Sequence, residues 1–395
     1  MSRPNQFLSP EGDLEDYFVD EYWLIDQWVG DTLWTWGNNN IGQLGNNTLV
    51  RRSTPVTTSA GGANWKQVSG GDSNTAAIKI DGTLWTWGSG STLQLGDNTL
   101  ITKSIPVTTF AGGTNWKQVT CGSTNTAAIK TDGTLWIWGS GGFGRLGTNA
   151  TASRGTPVTT FAGGTNWKQV ACGQDHTSAI KTDGTLWGWG LNTSGRLGDN
   201  TNINRATPVT TFAGGTNWKQ VDCGTSHTAA IKTDGTLWTW GNNDIAQLGN
   251  NTATVRSTPV TTFAGGNNWK QVSCGYRYTA AIKTDGTLWT WGRNTNGQLG
   301  DNTLITKSTP VTTFAGGTNW KQVDCGSIHT SAIKTDGTLW TWGNNAIAQL
   351  GNNTATLSLT PITTFAGGTN WKQISCGDNF IAAVTSGTDP TFFIS

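Results

Sequence analysis

Short apolar runs alternate with polar turns along nearly the whole chain, and inside them the hydrophobic positions recur every second residue. The stretch NWKQVTCG (Asn115 to Gly122) reads as a strand, TAAIKT (Thr126 to Thr131) as a second and TLWIWG (Thr134 to Gly139) as a third. Between the second and third lies Asp132-Gly133, a strong hairpin signal that predicts a type I′ turn with positive φ at both central residues. A loop rich in Gly, Asn and Thr then leads to a fourth short strand, Pro157 to Phe161. One unit therefore holds four strands and no helical period.

The unit recurs without insertion or deletion. Trp-x-Trp-Gly ends at Gly37, Gly88, Gly139, Gly190, Gly241, Gly292 and Gly343, a constant step of 51; Pro55 to Pro361 and Trp65 to Trp371 keep the same step. A fixed period near 50 signals a solenoid or propeller, and four-stranded sheets repeated radially make a propeller. Both ends are half-units. The first begins at Asp31-Thr32-Leu33-Trp34 without its two preceding strands, and the last stops after Ile381 to Val384 without a Trp-x-Trp partner. Together they complete one blade, so the expectation is an all-β, seven-bladed β-propeller over residues 31–385, closed by pairing of the N- and C-terminal strands. Residues 386–395 remain as a C-terminal strand or tail. The two indoles of Trp136-Ile137-Trp138 project from one strand face and should pack on the neighbouring blade; burying one contributes on the order of 5 kcal/mol as an upper bound.

Composition excludes several function classes. With 25 basic and 24 acidic residues the formal net charge is +1, so no global field gathers nucleic acid or anionic lipid. No apolar run approaches a membrane span and no secretory signal is visible, which predicts a soluble protein, cytoplasmic or assembled into a virion, without membrane insertion. The six cysteines sit one per repeat, from Cys121 to Cys376, where successive blades hold them about 10 Å apart. They are expected to be free, buried thiols rather than disulfides or a metal ring.

The repeat resembles that of the regulator of chromosome condensation propellers, in the manner of α-tubulin suppressor-like repeat proteins of bacterial or phage type. The shared residues are Cys-Gly-x-x-His-Thr (Cys172 to Thr177), Asp-Gly-Thr-Leu-Trp-x-Trp-Gly (Asp183 to Gly190), Gly-Arg-Leu-Gly (Gly195 to Gly198) and Pro208-Val209. That resemblance implies seven blades with a shared closing blade. It also implies a choice of functions, since the founding member is a guanine-nucleotide exchange factor that docks on chromatin while other relatives are pure binding modules. Neither the founder's wedge insertion nor its basic tail is present. The segment 1–30 is acidic, with Glu11, Asp13, Glu15, Asp16, Asp20, Glu21 and Asp26 against Arg3, and such a tail repels DNA.

Residue by residue, the candidate chemistry reduces to architecture. His176, His227 and His329 fill one repeat position, held elsewhere by Asn74, Asn125, Tyr278 and Phe380, so they form no local triad. Loops such as Leu197 to Thr201 lack the spacing of a calcium site, and no phosphate loop, His-Glu-x-x-His or nucleophile elbow occurs. No enzyme activity, cofactor or metal is expected. The units differ from one another in the three residues after Cys-Gly, after Trp-x-Trp-Gly and before Pro-Val, all of them loops, where specificity resides. The most distinctive cluster is Tyr276, Arg277 and Tyr278, with Arg293 in the next variable loop, residue types enriched in protein interfaces. Leu14, Phe18, Tyr22, Ile25 and Val29 recur at helical spacing after Ser9-Pro10, predicting a short amphipathic helix that folds back on the propeller or anchors it in an assembly. The leading expectation is a non-catalytic binding or structural module for a protein or surface glycan, with a phage particle or other large assembly as its setting. Near-equivalent loops suit multivalent contact. The alternative is guanine-nucleotide exchange on a small GTPase.

Overall fold

The computed structural model describes residues 31–61 and 63–387. Its 28 strands form seven antiparallel four-stranded sheets, each running in sequence order from the inside outward except the closing one. In a typical blade the strands are Trp116–Cys121, Asn125–Lys130, Leu135–Gly139 and Arg154–Thr159. The closing blade is built as the half-units require: Thr32–Gly37 pairs with Phe380–Thr385 in unbroken register from Thr32↔Thr385 to Gly37↔Phe380. This is a seven-bladed propeller whose ring is sealed by strand pairing.

The hairpin turn is not the expected type. Gly133 N–H donates to the Lys130 carbonyl (3.0 Å) and Lys130 N–H to that of Thr134 (3.0 Å), closing a three-residue loop. Positive φ falls on Gly133 (+81°) and not on Asp132, the pattern of a type I turn followed by a glycine bulge. Asp132 instead accepts from the backbone and hydroxyl of Thr134 (2.9 and 2.7 Å), which holds its pKa below the usual carboxylate value.

Packing between blades rests on three tryptophans per unit rather than two. The second indole of Trp-x-Trp, such as Trp138, is fully buried, and its Nε1 donates to the Gln94 carbonyl of the preceding blade's inserted loop (2.9 Å). The first, such as Trp136, is only half-buried: with Trp116 of its own innermost strand it brackets the Lys130 ammonium at 4.6 and 4.8 Å. Trp116 meets both indoles edge-on, with ring centroids 6.3 and 6.4 Å apart. The expectation that both indoles of the motif pack deep between blades thus holds for one; the other spends a face on a cation.

At the axis, each innermost strand presents a free edge that must find partners. One glutamine per blade supplies them. Gln67 Nε2 donates to the Val119 carbonyl while its Oε1 accepts from Val119 N–H (both 3.0 Å), and the pattern passes blade to blade until Gln373 returns to Val68 (3.1 and 3.0 Å). A closed circle of side-chain amides therefore does for the axis what the terminal strands do for the rim.

Because each blade is an up-and-down meander, its first and third connections emerge on one face and its second connection on the other, together with the link to the next blade. The loops in which the units differ most lie on the first of these faces. The opposite face repeats, with Asp-Gly turns alternating with Ala-Gly-Gly links.

Candidate functional site

The variable face converges on an axial funnel of about 270 Å³, continuous in its lining with a channel segment of about 250 Å³. Its wall is a stack of rings, each made of one residue per blade. Deepest are the amide circle and, two residues on, Ser69, Thr120, Ala171, Asp222, Ser273, Asp324 and Ser375. Above them come the cysteines and glycines, and at the mouth the first residue after Cys-Gly: Asp72, Ser123, Gln174, Thr225, Tyr276, Ser327 and Asp378.

All six cysteines are free and buried, and burial pushes the Cys121 and Cys223 thiols up to about 12, so they are neutral at ordinary pH. The histidine position is a lock between blades. His176 and His227 are fully buried, with Nε2 2.9 Å from the hydroxyls of Thr228 and Thr279 in the following blade, while Asn74 and Asn125 reach Cys Sγ atoms there (3.3 Å). Burial first, and the Arg196 charge second, lowers His227 to about 3.

Asp222 and Asp324 carry a signal that the sequence reading passed over. Asp222 Oδ2 accepts from Cys274 N–H (2.7 Å) and Asp324 Oδ2 from Cys376 N–H (2.6 Å), the bond that Ser69 Oγ makes to Cys121 N–H (3.0 Å) elsewhere in the ring. Ser273, between them, donates to Asp324 Oδ1 (3.1 Å). Burial, with the neighbouring Asp324 charge second, raises Asp222 to about 7, and burial raises Asp324 to about 6. At the mouth, burial also raises Asp72 and Asp378. Comparing the units at the residue before Cys-Gly would have exposed this pair. Among the described residues no group of three or more His, Cys, Asp or Glu is placed to hold a metal.

Of the residues picked from the sequence, three come together. The Tyr276 ring faces the Arg277 guanidinium at 5.4 Å and that of Arg293 at 5.7 Å, and Arg277 pairs with Asp244 at 3.2 Å. Tyr276 lies on the funnel mouth. Tyr278 does not belong with them: it begins the next strand, is fully buried, and its hydroxyl donates to the His329 carbonyl (2.5 Å). A single residue, Arg277, separates a surface tyrosine from a core one, because the chain turns from loop to strand between them. On the next blades along the mouth, Arg145 pairs with Asp175 (2.7 Å) and also donates to Thr124 Oγ1 (2.6 Å), fixing a second polar cluster. Leu14, Phe18, Tyr22 and Ile25 lie outside the described residues.

Comparison with known proteins bears directly on this architecture. The RCC1-like domain matches residues 29–320, and the regulator of chromosome condensation (RCC1) repeat matches 320–346 and 336–384. The ultraviolet-B receptor UVR8 of Arabidopsis thaliana is 32% identical over 331 residues, covering 82% of this chain and 75% of the receptor. The E3 ubiquitin-protein ligase HERC2 of Mus musculus is 28% identical over 368 residues, 90% of this chain, which spans 8% of the ligase's length. Among solved structures, human WBSCR16 superposes with a TM-score of 0.80 at 21% identity, covering 91% of this chain and all of that one (100%). Yeast RCC1 (Prp20) bound to Kap60 gives 0.80 at 18% identity, covering 99% and 97%. Prp20p of Saccharomyces cerevisiae, described with its binding properties to Gsp1p and histones, gives 0.77 at 18%, covering 94% and 95%. These structures speak for the fold, and the sequence matches for descent: the chain belongs to the family of RCC1-like propellers.

Proposed function

We propose that this propeller is a non-catalytic protein-binding module that meets its partner with the variable face, around the funnel mouth. One observation carries the reading: the long stretches in which the units differ are delivered to that face, whereas the opposite face repeats nearly the same residues blade after blade, with single exceptions such as Ser59 and Ile80. Tyr276, Arg277 and Arg293 are the anchors, a ring held between two guanidinium groups at low conformational cost. Yeast RCC1 is bound to a protein, Kap60, which supports a protein ligand over a surface glycan. An anchoring role for residues 1–30 in a phage particle or other large assembly is a separate expectation, with no counterpart among the relatives named above.

The test is capture from extracts of the source by the full chain, compared with Tyr276→Ala combined with Arg293→Ala. A partner retained by the parent and by a Phe212→Ser control on the opposite face, but lost with the double variant, is the expected result. Equal retention by all three would overturn the assignment of the face. The same fold serves guanine-nucleotide exchange equally well, given that Prp20p is described with Gsp1p. Accelerated nucleotide release from a small GTPase at stoichiometric protein would establish that second reading instead.

A further inference from the structure

The repeating face is unlike an ordinary solvent surface. Six of the seven links between blades there carry a phenylalanine, at Phe110 and every 51 residues to Phe365, and these six rings are 55–69% exposed. Six large apolar side chains so exposed, one at the same place in each of six successive links, mark a ring of sites suited to contact. Lysines share the face, two per unit in the manner of Lys117 and Lys130, one following the innermost tryptophan and one preceding the Asp-Gly turn. Counted over the ring they number thirteen, against seven aspartates (six from the turns, plus Asp31), a surplus of six positive charges. Residues 1–30 hold seven carboxylates and one arginine, a surplus of six negative charges. The near-neutral total therefore conceals two bodies of opposite sign.

The described chain begins on this same face. Asp31 occupies the place of an Asp-Gly turn: its carbonyl accepts from Trp65 N–H (3.0 Å), as that of Gly82 does from Trp116 N–H (3.1 Å), and its carboxylate pairs with Lys372. Immediately beside it is the one link that lacks the phenylalanine, where Ser59 stands instead. The rim is thus interrupted at the point where residues 1–30 arrive, and within residues 17–29 of that segment nine of thirteen are apolar (Tyr, Phe, Val, Trp, Leu and Ile). Thirty residues reach up to ~100 Å when extended, farther than the ~50 Å breadth expected of a compact domain of roughly 350 residues.

We propose that residues 1–30 dock in cis on this face, seating Phe18, Tyr22 and Ile25 over the phenylalanine rim at the Ser59 gap, with their carboxylates among the surrounding lysines. Docking there covers the repeating face and leaves the variable face to the partner. It also explains why the gap and the segment's arrival coincide.

The six phenylalanines provide an internal control, since they occupy equivalent positions and their exposures are similar. Hydroxyl-radical footprinting of the full chain should oxidise Phe110 and Phe365, which flank the gap, several-fold more slowly than Phe212 and Phe263 across the ring. The double variant Phe18→Ser, Ile25→Ser should bring all six to one rate. Zero-length carboxyl-to-amine cross-linking on a mixture of isotopically light and heavy protein should join residues 11–26 to Lys66, Lys321 or Lys372 within single copies. Uniform oxidation of all six rings in the parent chain would overturn the proposal. So would cross-links joining light to heavy copies, which would make a second copy the occupant, or cross-links confined to the variable face.

Discussion

Asp222 should make the propeller less stable as pH rises, and replacing it with asparagine should make the protein stronger. Its carboxylate accepts Cys274 N–H at 2.7 Å, an acceptor role that an asparagine oxygen can keep, so the substitution removes the buried charge while sparing the bond. Raising the folded pKa from 3.8 to about 7 means that the folded chain holds a proton which the unfolded chain has released; stability is full below pH 3.8 and drains away as pH climbs to 7. Three units amount to about 4 kcal/mol at 1.36 kcal/mol each. The residue is half-buried on the axial channel, and channel water screens the charge, so about half of that, ~2 kcal/mol, is expected. For a domain of roughly 350 residues this corresponds to about 3 °C in Tm. Thermal unfolding followed by tryptophan near-ultraviolet circular dichroism, with parent and Asp222→Asn run in parallel from pH 4 to 8.5, reads the difference directly. The variant should gain about 3 °C above pH 7, and the gain should shrink steadily toward pH 4. A loss of stability at pH 8, or a difference that ignores pH, would refute the reasoning.

Acid should act oppositely through the histidine lock. His227, lowered to about 3, is neutral when folded, so its contribution is present above the ordinary value of 6.5 and lost as pH falls toward 3; His227→Asn, the residue that Asn125 already supplies at this position, should reduce acid sensitivity in the same melts. Breaking the axial circle with Gln220→Ala removes both partners of Val272 (each 3.1 Å) and should cost ~1–2 kcal/mol, whereas Gln220→Glu, which keeps the acceptor, should cost less; equal losses in denaturant midpoints would show that the retained acceptor contributes nothing. Trp240→Phe forfeits a buried indole bond to the Arg196 carbonyl (2.9 Å) and should destabilise by ~2–3 kcal/mol, more than Trp238→Phe at the half-buried position, as measured by urea unfolding. The six thiols should resist an aromatic disulfide reagent in the native state and all react in denaturant; rapid reaction of even one in the native protein would contradict their burial.

The seven blades, their boundaries to within a few residues and the shared closing blade were legible because an invariant 51-residue step leaves radial repetition as the natural solution, and the two half-units supply what the ring lacks. The gathering of the variable loops on one face was also available, since a four-stranded meander sends its first and third connections the same way. The turn was misread because Asp-Gly serves both a type I′ turn and a type I turn with a glycine bulge, and loop length, set by the pairing of Lys130 with Thr134, selects between them.

What the residue string determined by itself was everything that depends on neighbours within one unit: strand alternation, turn positions and the number of repeats. Only the assembled ring decided what happens between units. It turned seven glutamines into a closed circle, made two aspartates stand in for serine at the cost of raised pKa values, and sent Tyr276 to the mouth but Tyr278 into the core. The physical reason is that these contacts join residues about 51 positions apart, or some 300 across the closure. Their geometry comes from the tilt and spacing of whole sheets, and no local pattern of apolar and polar residues encodes that.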